Sequence, residues 1–279
     1  MSREENIEIF NDTEKLCRTN PVLIKAWKES SARQKLILEA ETIDCKKDRF
    51  ETPAVIKVSK KRTFEAAMDY NGRKVAVLNF ASASNPGGGV VNGSSAQEEC
   101  LCRCSTLYYN LTEDFLWEKF YRPHRRERNP IHNDDLIYTP DVVVFKSDTV
   151  FPQLLPETSW KNVNVITCAA PNLREGSSSS FIFGGVDKAV SVSDEELEAI
   201  HIKRGRKILE AAAADENDVV VLGAFGCGAF MNKPEVVAKA YGKLMEEFGK
   251  AFETIEFAVY CSPRDESNFR IFEEVFLGV

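Results

Sequence analysis

No apolar run in the 279 residues approaches the ~20 residues needed to cross a bilayer, so a soluble protein is expected. The eight cysteines lack the spacing of a disulfide framework, and the opening Met1-Ser-Arg-Glu-Glu has no apolar signal core. Reduced thiols and a cytoplasmic location follow as expectations. Basic charge is also short: 36 Lys and Arg face 43 Asp and Glu, a net charge of −7. That balance disfavours strong binding to nucleic acid and leaves any phosphate to be held locally. The densest basic stretch, Arg122 to Arg128 with His124, could touch an anionic polymer but reads first as a solvated loop. Nucleotide motifs are missing as well. There is no G-x-x-x-x-G-K-[ST], which argues against a P-loop kinase, and Gly223-x-x-Gly226-x-Gly228 departs from dinucleotide spacing. With only three histidines in the chain, His132 and His201 read as surface or helix-face residues, and Cys227 as a packed thiol without a base. Cys100, Cys102 and Cys104 alternate faces of a helix with no histidine at ligand spacing, so no metal site is expected.

What remains is an alternation of strand-like and helix-like segments. The first sixty residues read as helix-rich and charged, with Ile24, Trp27, Ala32, Leu36, Leu38 and Ala40 at roughly helical spacing until Pro53. A short helix through Phe64, Ala67 and Met68 follows. Strands are predicted at 75–80, 141–145, 163–168, 219–223 and 255–260. Helices are predicted at 96–110, 113–120, 193–214, opened by Ser193-Asp-Glu-Glu196, and 234–248. Buried strands alternating with helices indicate one α/β sandwich. Ser177 to Ser180 reads as a mobile surface loop.

Two strand-end segments carry the chemistry. Gly87-Gly88-Gly89 follows the strand 75–80, and after seven residues come Gln97-Glu98-Glu99 at a helix start. Glycines let backbone N–H groups approach an anion, and a carboxyl can protonate a leaving oxygen. The second segment, Gly223 to Pro234, puts Gly226, Cys227, Gly228, Ala229 and Phe230 between a strand and a helix N-terminus, a diphosphate cradle that needs no arginine. Phe230 and Phe225 could each stack on a sugar or base, or anchor the core. Glu98 and Glu99 project about 100° apart on a helix, which argues against two carboxylates facing across one sugar ring and for one acid with one positioner. Mutual repulsion and burial would raise at least one of their pKa values.

Leu78-Asn-Phe-Ala-Ser-Ala83, Asn85-Pro-Gly-Gly-Gly89, Ala96-Gln-Glu-Glu99 and Leu101-Cys-Arg103 resemble the bacterial (microbial)-type poly(ADP-ribose) glycohydrolases. The likeness extends to Ala169-Ala-Pro-Asn172, where proline is usual at the first position, and to Gly223 to Pro234. It implies a macrodomain-like fold: a three-layer α/β/α sandwich with a mixed sheet. Residues 1–60 would form an N-terminal helical extension and 61–279 a catalytic domain. By the same resemblance Glu99 is the catalytic acid, with Glu98 and Gln97 positioning the terminal ribose. Gly87, Gly88 and Gly89 line the distal ribose, Gly226 to Phe230 cradle the diphosphate, and Phe230 packs near the scissile sugar. The implied reaction is hydrolysis of the ribose-ribose O-glycosidic bond of poly(ADP-ribose), releasing ADP-ribose from chain ends, with no metal or cofactor. The N-terminal helices would close the far end of the adenosine site. The expected partner is an ADP-ribose polymer or an ADP-ribosylated macromolecule, and the chain is expected to be a monomer. Two other readings use the same loops: a non-catalytic ADP-ribose-binding module, and a hydrolase of another ADP-ribose conjugate. The module has no use for Gln97-Glu98-Glu99.

Overall fold

The computed structural model describes residues 1–174, 190–262 and 264–278. In chain order its elements are α1 (Arg3–Thr19), α2 (Pro21–Ser31), β1 (Lys35–Ile37), β2 (Val55–Ser59), α3 (Thr63–Met68), β3 (Val75–Phe80), α4 (Gln97–Cys104) and α5 (Leu107–Leu111). There follow α6 (Asp114–Leu116), a π-helical turn over Trp117–Tyr121, α7 (Arg122–Glu127), β4 (Leu136–Val144) and β5 (Lys161–Cys168). The chain closes with α8 (Asp194–Ala214), β6 (Val219–Leu222), α9 (Pro234–Phe248), β7 (Thr254–Ala258) and α10 (Ser267–Leu277).

The seven strands form one mixed sheet in the order β1-β4-β5-β3-β6-β7-β2. Five neighbours, from β5 across to β2, run parallel, while β4 is antiparallel to both β5 and β1. Period-2 side-chain alternation divides the interior into two cores. Ala76, Leu78, Val220 and Leu222 pack under α8, α9 and α10, whereas Val75, Val77, Val219 and Val221 pack under α3, α4 and α5. Because both faces are covered, the central strands are nearly continuous in apolar residues, which yields the expected α/β/α sandwich. The parallel strands β3, β5, β6 and β7 all release their chains at the same sheet edge, where open α/β sheets bind ligands. Among the described residues no helix is long and apolar enough to cross a membrane.

Several expectations require correction. Lys35–Ile37 is a strand, not a continuation of the preceding helix, because it pairs antiparallel with Leu136–Tyr138 and long-range pairing overrides a helical spacing. The first sixty residues hold α1 and α2 and also supply both edge strands, β1 and β2. The helix predicted over 96–110 breaks at Ser105, whose extended backbone bridges to Val144. Arg122 to Arg128 is not a loop: α7 continues the π-turn, accepts Pro123 in its first turn and ends at Arg128 in the left-handed region, φ 54°. β4 begins at Leu136, earlier than expected, and is irregular between Thr139 and Val142. Neither β2 nor α10 was expected. The serine run 177–180 lies outside the described residues.

Candidate active site

β3 ends at Phe80, and its chain runs through Ser82 into the first glycine turn before α4 begins at Gln97. No side chain caps the α4 N-terminus. Gln97 instead reaches back to β3: its Oε1 accepts the Phe80 N–H (2.8 Å), while Nε2 donates to the Leu78 carbonyl (2.7 Å) and to Thr63 Oγ1 (2.9 Å). The amide thus fastens the start of the acid helix to the strand end.

Both acids of α4 are buried, Glu98 3% and Glu99 7% exposed. Glu98 Oε2 accepts the Ser82 N–H (2.8 Å), and Oε1 accepts from Asn79 Nδ2 (3.3 Å). Burial, joined by the charge of Glu99, pushes Glu98 up to about 8, against the opposing pull of donors from Ser82, Asn79 and Gly87. Glu99 differs in its partners. Its Oε1 accepts the Gly89 N–H at 2.8 Å, whereas its buried Oε2 has none.

Both carboxyls converge on Gly88. A Cβ at that position would lie 2.5 Å from Glu99 Oε1 and 3.0 Å from Glu98 Oε2, and the backbone sits at φ +59°. Only glycine allows the turn to come this close.

The second loop is pinned from behind. Asn232 Nδ2 donates to Pro171 O (2.6 Å), Gly226 O (3.1 Å) and Phe230 O (3.2 Å), while its Oδ1 accepts from His201 Nε2 at 2.8 Å. The loops after β5 and β6 therefore meet at one side chain. Gly226, at φ +80°, makes room for that amide, since a Cβ there would stand 2.7 Å from Asn232 Nδ2. His201 is completely buried, and burial holds its pKa down at about 4, so it remains a neutral donor. The surface reading of this histidine is thereby corrected. Arg204, 1% exposed, braces the next layer by donating to Asp134 Oδ1 (2.9 Å), the Ala169 carbonyl (2.7 Å) and the Ile131 carbonyl (3.1 Å).

A cleft of about 1460 Å³ opens between the two loops, lined by Gly88, Gly89, Gln97, Glu98, Glu99, Gly226, Gly228, Ala229 and Phe230. Gly87 and Cys227 are not in its lining. Gly87 lies behind the turn against Tyr108, and Cys227 packs on the core beneath α9, where burial raises its thiol pKa. Phe225 is fully buried as a core anchor, touching Phe80 and His201, while Phe230 stays at the cleft wall. Sequence reasoning missed Asn79, Ser82, Asn232 and Arg204. Asn79 is placed in the strand preceding the glycines, so a buried polar residue there was the available signal.

The N-terminal helix reaches the cleft. Asn6 Nδ2 donates to the Gly93 carbonyl (3.0 Å), and Met1, Arg3 and Asn6 join the cleft lining, so α1 closes against the rim of the first glycine turn. Among the described residues no group of three His, Cys, Asp or Glu could hold a metal ion.

This architecture has close counterparts. The chain matches the family model described as microbial-type PARG, catalytic domain, over residues 4–147. The poly(ADP-ribose) glycohydrolase of Thermomonospora curvata is similar at 29% identity, with 98% of this chain and all of that one covered and a TM-score of 0.79. The same enzyme bound to the inhibitor ADP-HPD aligns at a TM-score of 0.77 with the same identity and coverage. The Deinococcus radiodurans poly(ADP-ribose) glycohydrolase in complex with ADP-ribose is 31% identical over 90% of this chain and 97% of that one, with a TM-score of 0.74. No curated protein sequence matches significantly. A two-loop cleft around a buried acid pair, a family match over half the chain and whole-length structural likeness lead to one conclusion: the chain belongs to the microbial-type poly(ADP-ribose) glycohydrolase family.

Proposed function

We propose that the chain hydrolyses the ribose-ribose O-glycosidic bond of poly(ADP-ribose) and releases ADP-ribose from chain ends. The carrying observation is the state of Glu99, which lines the cleft between two glycine loops: one oxygen is fixed by the Gly89 N–H and the other is buried and unpartnered. In this reading the terminal diphosphate lies along Gly226 to Phe230 and meets backbone N–H groups at the entrance to α9. The distal ribose rests on Gly88 and Gly89, with Phe230 against it.

Burial lets Glu98 retain a proton into the neutral range, so it stands beside Glu99 as an uncharged neighbour. Glu99 is the general acid, giving its own carboxyl proton from Oε2 to the departing ribose oxygen as the bond to the anomeric carbon breaks. The resulting oxocarbenium-like sugar takes up water, whose proton returns to the carboxylate. Glu98 aligns its neighbour, and Gln97 acts as a positioning residue through its bonds to β3. Within the proposed division of the chain, residues 61–279 carry the chemistry, and α1 of the first sixty residues narrows the cleft beside the glycine turn.

The test is Glu99→Gln. ADP-ribose release from poly(ADP-ribose), followed by mass spectrometry, should fall by roughly 10²–10⁴-fold, the range for a general acid, while calorimetric ADP-ribose binding persists. Undiminished release would remove Glu99 from its role. Binding without turnover by the unmodified chain would favour a non-catalytic module instead.

A further inference from the structure

Arg122 and Arg125 of α7, with Arg128 at its C-terminal end, lie outside the acid pair and both glycine loops. Arg122 pairs with Glu118. Among the described residues no carboxylate is in ion-pair range of Arg125 or Arg128, and both line the cleft. In a chain of net charge −7, two unneutralised guanidinium groups beside an acid-bearing pocket make a local reversal of sign.

Their placement is built. The π-turn over Trp117–Tyr121 leads directly into α7, and Arg125 lies over the Trp117 ring at 5.6 Å. His124, 6% exposed, lies between the Phe120 carbonyl (2.7 Å) and Asn133 Oδ1 (2.8 Å), which anchors the helix from below. The chain after Arg128 is tied to the cleft wall: Asn172 N donates to Pro130 O (2.8 Å), and Leu173 N donates to Phe230 O (2.9 Å). The segment that follows Arg128 thus reaches the Phe230 wall of the cleft that both arginines line.

We infer that Arg125 and Arg128 form a subsite for the diphosphate of the retained polymer, the ADP-ribose unit that departs when the bond is cut. This inference rests on the proposed hydrolysis of poly(ADP-ribose). The leaving oxygen and the 5′ diphosphate of the departing unit belong to the same adenosine ribose, so an anion follows within one sugar's width of the scissile bond. The glycine cradle is occupied by the diphosphate of the released unit and cannot serve this second one. Point charges at the rim suit a leaving group that must be held briefly and then let go. The subsite would favour polymer over conjugates whose leaving group carries no phosphate.

The experiment compares the unmodified chain with an Arg125→Gln/Arg128→Asn variant, asparagine being tolerated in the left-handed backbone at 128. For poly(ADP-ribose), KM should rise roughly fivefold or more with kcat little changed, and the slope of log KM against log salt should shrink by about 1 to 2. Calorimetric affinity for free ADP-ribose should stay the same. Unaltered KM and salt slope would overturn the subsite. A parallel loss of ADP-ribose affinity would also overturn it by assigning the arginines to the released unit. Failure of the unmodified chain to cut the polymer would instead remove the underlying reading.

Discussion

Replacing Gly88 with alanine tests how the fold aims its acid. The added methyl would meet Glu99 Oε1 at 2.5 Å, and the carboxyl would have to retreat about 0.9 Å to reach an ordinary 3.4 Å contact. That movement strains or breaks the bond from the Gly89 N–H, now 2.8 Å long. Leaving a buried hydrogen-bonding group without its partner costs about 1–3 kcal/mol, and the left-handed backbone at φ +59° adds about 1–2 kcal/mol for a residue bearing Cβ. Partial relaxation leaves a loss on the order of 2–4 kcal/mol, which lowers Tm by roughly 5–10 °C in a domain of this size. Misplacing a catalytic group by about 1 Å costs about 10²-fold in rate. Single-turnover cleavage of poly(ADP-ribose) should therefore slow about 100-fold. Free ADP-ribose should lose far less affinity, since the loop from Gly226 to Phe230, proposed to hold its diphosphate, is untouched. Gly228→Ala is the control for folding: an added Cβ there meets nothing within 4 Å and Tm should not move. A Gly88→Ala enzyme within threefold of the unmodified rate would refute the claim that this turn positions the acid.

Two further outcomes follow from the same geometry. Asn232→Ala leaves three loop carbonyls and the His201 donor without their shared partner, so ADP-ribose affinity measured by calorimetry should drop about tenfold or more; an unchanged Kd would disconnect this amide from loop order. Glu98 is protonated up to about pH 8 in the folded chain but only to about 4.5 when unfolded. The folded state therefore binds the additional proton, and stability declines as pH rises across that window by on the order of a few kcal/mol. Urea unfolding of Glu98→Gln should give a flatter profile between pH 5 and 8, and a slope identical to that of the parent would contradict the assignment.

The parts of the site legible in sequence are those whose signals are local. Val75 to Phe80 followed by glycines and adjacent acids announces a strand, a turn and a helix within twenty-five residues, and Ser193 to Glu196 announces a helix through the capping box that the structure contains. β1 could not be read this way. Its three residues are strand only because Leu136–Tyr138, a hundred positions later, offers a partner. Asn232 and Arg204 escaped notice for a related reason: each gathers carbonyls from segments distant in sequence, and no motif marks a side chain whose work is to join loops. α10 did carry a signal in Phe269, Phe272 and Phe276, spaced for one helical face, and its rings meet Phe257 of β7.

The edge pairing of β2 with β7 also sets an order of events during synthesis. Val55–Ser59 leaves the ribosome about two hundred residues before Thr254–Ala258, the strand against which it must register. Until then it is an unpaired edge, and contacts so remote in sequence are slow to form. The acid-bearing helix and its glycine turn are made early, while the second glycine loop and the strand that seals the sheet beside it arrive late. A nascent chain halted near residue 150 would hold Glu99 without the loop from Gly226 to Phe230, so catalytic competence should appear only as the final quarter emerges and the sheet closes.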